Sequence, residues 1–136
     1  MIVSSARVAQ TGGHPGPAVG YRVSGAGAAG AHRPDPEPAL GARRFPEEPR
    51  WTSGFDLAAG VDLLIHDGQY TDEERSTRVG WGHSAATEAV AFGQLAGAHR
   101  LVLFHHEPSH SDAALDGLTA RRPRGRTQIG AVPRRG

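Results

Sequence analysis

At 136 residues the chain is long enough for one compact domain with a core, and a formal net charge of +1 singles out neither nucleic acid nor a membrane surface as its partner. Cysteine is absent, which excludes disulfides and thiolate metal sites and leaves any transition-metal chemistry to eight histidines and the carboxylates. No stretch approaches the ~18 apolar residues of a membrane span, and Met1 opens no basic-then-apolar signal pattern, so a cytoplasmic protein without a membrane partner is expected.

Met1 to Ala9 alternates loosely through Ile2, Val3, Ala6 and Val8 and predicts a strand. Gly12-Gly-His-Pro-Gly-Pro17 is turn chemistry, and Ala18 to Val23 predicts a second strand that closes a hairpin with the first. Ser24 to Ala31 is glycine and alanine apart from its serine; with nothing to fill a core, it reads as a flexible loop. His32 to Arg50, rich in proline and charge, reads as further loop. Both the Gly/Ala run and the Arg/Pro/Gly tail after Ala120 have the composition of GC-rich DNA read out of frame.

Trp51 to Gly60 predicts a short helix with Gly60 as its C′ residue. Val61-Asp-Leu-Leu-Ile65 predicts a core strand, and the ionisable pair His66-Asp67 follows it directly. Thr71 and Glu74 have capping-box spacing, and Gly80-Trp-Gly-His83 is a tight turn. Ser84 then opens the longest helix, through about Ala96, with Ala85, Ala89, Phe92 and Ala96 on one face and Val90 and Leu95 broadening it. Leu101 to Phe104 predicts a buried strand, followed by His105, His106, Glu107, His110, Ser111 and Asp112. Ser111 to Ala120 predicts a last helix. Residues 119–136, where every charged side chain is an arginine, read as a basic disordered tail.

Strand, helix and strand over 61–65, 84–96 and 101–104 make a β-α-β crossover, which implies adjacent parallel strands. Their C-terminal ends, His66-Asp67 and His105-His106, then share one sheet edge, where α/β folds commonly carry their chemistry. His14 follows a Gly-Gly turn, His83 enters a helix N-terminus suited to an anion, and His105 leaves a core strand. Metal-binding side chains beside such a helix start point to hydrolysis of a phosphate ester. His32 and His99 read as surface residues, His106 and His110 stay open, and His66 and Asp67 read as groups that orient ligands rather than bind metal. Alternation along the strand puts Leu101, Leu103 and His105 on one face and Val102, Phe104 and His106 on the other, which selects His105 over His106.

His14-Pro-Gly-Pro-Ala-Val-Gly-Tyr-Arg-Val23, Val61-Asp-Leu-Leu-Ile-His-Asp67, Gly80-Trp-Gly-His-Ser84 and Leu101-Val-Leu-Phe-His105 occur in that order. Together they resemble the C-terminal half of metallo-β-lactamase-fold hydrolases, in the branch of ribonuclease Z and related phosphodiesterases. The resemblance implies an α/β fold, the αββα sandwich, here as an incomplete C-terminal half over residues 1–118. It implies two divalent metal ions, zinc first with manganese or iron as alternatives, and a small-molecule or nucleic-acid phosphodiester substrate attacked by metal-bound hydroxide. His14 and His105 match metal ligands of the family, Asp35 falls where its bridging aspartate stands, and His83 matches the histidine that assists at the phosphate or leaving group. The His-x-His-x-Asp-His motif, which in the family precedes these segments, has no counterpart in this sequence. A non-catalytic fragment of such a hydrolase and a nucleic-acid-binding module working through the arginine-rich tail are the alternative readings, and the family pattern admits a homodimer.

Overall fold

The computed structural model describes residues 5–11, 18–33, 54–68, 85–104, 109–119 and 127–131. The expected N-terminal hairpin forms from β1 (Ser5–Thr11) and β2 (Ala18–Gly25), paired antiparallel from Ser5↔Ser24 to Thr11↔Ala18. Beyond it the structure holds a strand where the sequence predicts a loop. The Gly/Ala run taken for a loop is β3 (Ala28–Arg33), paired antiparallel to β2. The reversal is a two-residue turn with Ala26 at φ 52° and Gly27 at φ 78°, the left-handed backbone that a tight type I′ hairpin demands. β3 needs little side-chain bulk because its backbone is bonded on both sides, to β2 and, in parallel, to β4 (Leu63–Asp67).

The predicted crossover follows. Helix α1 (Phe55–Ala58) precedes β4 and stops at Ala59–Gly60 as expected. Hydrogen bonding starts β4 two residues later than the apolar run suggests and carries it through His66 and Asp67, while Val61 packs fully buried ahead of it. Helix α2 (Ala86–Leu95) begins where the Glu88 carboxylate accepts the Ala85 N–H at 2.8 Å. It closes on Gly97 at φ 68°, with Ala98 N–H donating to Gly93 O and Gly97 N–H to Gln94 O, the paired bonds of a Schellman end. Strand β5 (Arg100–Phe104) then lies parallel beside β4.

Helix α3 (Asp112–Thr119) opens with the Ser111 hydroxyl accepting the Ala114 N–H at 3.2 Å, and β6 (Gln128–Ala131) pairs parallel with β5. This corrects the reading of 119–136 as a disordered tail. Four of its residues are a strand, tied in by Thr127, whose buried hydroxyl donates to Ala98 O at 2.8 Å, and by Gln128 N–H on His99 O at 3.0 Å. The sheet order is therefore β1-β2-β3-β4-β5-β6, an α/β arrangement with an antiparallel start and four parallel strands.

Among the described residues the hydrophobic core lies on one sheet face. Ala31, Leu64, Leu101 and Leu103 meet Ala58 of α1, Ala86, Ala89 and Phe92 of α2, and Ala96 at the C-cap of α2. Ala85, Ala89, Phe92 and Ala96, the predicted helix face, are all buried. Arg22, on the same sheet face, donates to Leu57 O and Ala59 O at 2.9 Å each and so holds the end of α1 against the sheet. Among the described residues no helix is long and apolar enough to cross a membrane.

Candidate active-site edge

The parallel strands end together: Arg33 pairs with His66, His66 with Leu103, and Asp67 with Phe104. β2 runs against them, so Ala18 and its partner Thr11 lie toward that same edge. The far end of α2 is fixed at the opposite edge, where Gly60 N–H donates to Ala96 O at 2.8 Å, so the start of α2 also points to the strand ends. Described residues flanking each predicted site residue therefore converge: Thr11 and Ala18 bracket His14, Arg33 precedes Asp35, Ala85 follows His83, and Phe104 precedes His105. His14, Asp35, His83, His105 and His106 themselves lie outside the described residues.

Beneath this edge sits a polar network that the sequence reading did not foresee. The strand alternation turns Arg33 and His66 onto the helix-covered face, where they are 2 % and 1 % exposed. An arginine can only donate, so Arg33 Nη1 donates to His66 Nε2 at 2.8 Å; Nδ1 then carries the ring proton and donates to Asp67 O at 2.6 Å. Burial pushes His66 down to about 3, and the Arg33 charge adds to that, so the ring is a neutral acceptor at any physiological pH. Burial also pushes Arg33 down to about 9, against the pull of the Asp67 charge, and it stays a cation at neutral pH. Its guanidinium carbon lies 4.2 Å from the centre of the Phe92 ring, and the His66 ring packs 5.1 Å from Phe92. Arg33 Nε and Nη2 are buried and have no hydrogen-bond partner among the described residues.

The arrangement occupies the His66 ring on both sides. Both of its nitrogens are engaged, so it has no lone pair for a metal, and it fixes the last peptide of β4 beside fully buried Asp67. His32, expected on the surface, is half-buried on the opposite face, edge-on to Phe104 with ring centres 5.3 Å apart. His99 is at the surface as expected, 3.4 Å from the Asp62 carboxylate. Among the described residues no three His, Asp or Glu side chains are grouped to hold a metal ion. The described part of the edge does not by itself fit a metal.

A β-lactamase superfamily domain model matches residues 2–106. The chain belongs to the β-lactamase superfamily, in its metallo-β-lactamase fold. Within the superfamily it is 37% identical over 58 residues to the ribonuclease Z of Brevibacillus brevis, covering 43% of this chain and 18% of that protein. It is 33% identical over 86 residues to the ribonuclease Z of Salinibacter ruber, covering 63% and 27%. In three dimensions it matches human tRNase Z, short form, with a TM-score of 0.61 at 26% identity over 76% of this chain and 36% of that one. The metallo-β-lactamase fold protein YhfI of Bacillus subtilis superposes with a TM-score of 0.67 at 17% identity, over 93% and 46%. The superfamily resemblance read from the sequence is thus established, and the chain spans only a fraction of the length of these relatives.

Proposed function

We propose that this chain is the C-terminal part of a metal-dependent hydrolase that cleaves phosphodiester bonds, with RNA as the substrate class favoured by its ribonuclease Z relatives. The observation that carries the reading is the single sheet edge toward which the flanks of His14, Asp35, His83 and His105 all run, in a chain matched by the superfamily over residues 2–106. His14, Asp35 and His105 are its share of the donors for two divalent ions, zinc first and manganese or iron as alternatives. The chemistry such ions supply is a water acidic enough to attack at neutral pH. His83, entering α2, steadies the non-bridging or departing oxygen, where a helix start favours negative charge. The reading includes a cytoplasmic location.

Three donors are too few to close two metal coordination spheres, so residues 1–136 alone are inactive in this reading. The purified chain retains less than one zinc or manganese after dialysis and does not hydrolyse bis(p-nitrophenyl) phosphate above a metal-only blank. Joined to an N-terminal half carrying His-x-His-x-Asp-His, it gains turnover that His83→Ala removes. Two tightly held metals in residues 1–136, with turnover lost in His83→Ala, overturn the partial-site reading. No turnover from the completed chain favours a non-catalytic fragment.

A further inference from the structure

A cation already sits at the strand-end edge. Arg33 closes β3 in register with His66 and, one strand on, with Leu103, and its side chain is buried. Its Nη1 takes the lone pair of the His66 ring, and the Asp67 carboxylate acts on its charge. Nε and Nη2 are buried as well, without a partner among the described residues. The neutral His66 ring offsets none of the charge. An imidazole lone pair and a carboxylate beside it are what a divalent ion uses at such strand ends. Here both act on an arginine, which accords with the lack of a metal-binding group among the described residues.

Resting on the metal-dependent reading of this edge, we infer that Arg33 is a built-in competitor of divalent metal ions. Its fixed positive charge makes the edge bind them more weakly than its donors alone would, so neutralising Arg33 tightens binding. Asp35 follows Arg33 by two residues and His105 follows Leu103 by two, and two residues span at most ~7 Å of chain. With strands ~4.8 Å apart and the guanidinium reaching β4, both positions lie within about 10 Å of the charge. At that distance, and an effective dielectric of ~20, a unit and a double charge repel enough to shift a dissociation constant roughly a hundredfold. Water at the edge weakens this, and about tenfold is the effect to be read. An arginine can also brace a ligand, donating to a carboxylate that binds the metal; that role has the opposite sign, because removing it loosens binding. Among the described residues nothing accepts from Nε or Nη2, so repulsion is the contribution the structure supports.

The test is titration of intact residues 1–136 with Mn²⁺, the free ion being read by electron paramagnetic resonance. Wild type is compared with Arg33→Met, Arg33→Gln, which keeps a donor for His66, and Arg33→Lys, which keeps the charge. Arg100→Met, exposed at the opposite end of the parallel strands, is the control. Far-UV circular dichroism and urea unfolding check that each variant folds. Arg33→Met and Arg33→Gln lower the Mn²⁺ dissociation constant at least about tenfold, while Arg33→Lys and Arg100→Met stay within about threefold of the wild type. The gain persists in about 0.5 M salt, because a buried charge is screened far less than an exposed one. Looser binding in the two neutral variants means that Arg33 braces a ligand, and overturns the inference. Unchanged binding, a gain shared by Arg33→Lys, or no Mn²⁺ binding in any of these proteins overturns it equally. Absence of turnover from the chain completed with an N-terminal half counts against the hydrolase reading alone, since the order of Mn²⁺ affinities is measured without it.

Discussion

His66 should make this protein acid-labile in a way that one substitution removes. Above pH ~6.5 its ring is neutral both folded and unfolded, and its protonation contributes nothing to the pH dependence. Below that value the unfolded chain takes up a proton that the folded ring, held down to about 3 by burial and the Arg33 charge, refuses. Proton uptake by the unfolded state alone lowers stability as pH falls, by ~1.4 kcal/mol per unit. Between pH 6.5 and pH 4 this amounts to roughly 3 kcal/mol, a large part of the ~5–15 kcal/mol that holds a domain together. His66→Gln keeps an oxygen that can accept from Arg33 but cannot titrate. Urea unfolding of both proteins from pH 7 to pH 4 should show the wild type losing about 3 kcal/mol more than the variant, whatever the other carboxylates contribute to both. Carbon-detected NMR of the His66 ring should report the neutral Nδ1–H form throughout. Parallel stability curves, or a His66 titration near 6.5, would refute the buried Arg33–His66 bond as drawn.

Phe92→Ala removes a fully buried ring that covers Arg33 and packs on His66; it should cost about 3–5 kcal/mol in urea unfolding. Arg22→Ala leaves Leu57 O and Ala59 O without their donor, so stability should fall by about 1–3 kcal/mol, with faster hydrogen exchange confined first to α1. In the chain completed with an N-terminal half, His105→Ala should deplete bound metal far more than His106→Ala, by elemental analysis. Equal depletion would show that the alternation seen at Leu101 and Leu103 does not continue past Phe104.

Much of this fold was legible locally. Helical spacing of Ala85, Ala89, Phe92 and Ala96 located α2 and its buried face, and the apolar runs at 61–65 and 101–104 located the two central strands within two residues. Strand, helix and strand in succession then required parallel neighbours, so the shared edge of His66-Asp67 and the residues after Phe104 followed from connectivity alone. Four ordered segments carried the superfamily resemblance. These features depend on periods of two or 3.6 residues, which a sequence records directly.

What tertiary structure decided has a common cause. β3 and β6 are strands because β4 and β5 offer backbone partners far away in sequence, and runs as short as Ala28-Ala-Gly-Ala31 and Gln128-Ile-Gly-Ala131 carry no side-chain pattern announcing such pairing. The Ala26-Gly27 turn was the one local sign of β3, hidden in a run where every residue looked permissive. Arg33 was assigned to a proline-rich loop by composition; pairing beside His66 instead placed it under Phe92, where its charge is desolvated and its neighbour's lone pair is spent. Neither the burial of that cation nor the engagement of both His66 nitrogens belongs to any one segment. Both arise only when β3, β4 and α2 are brought together.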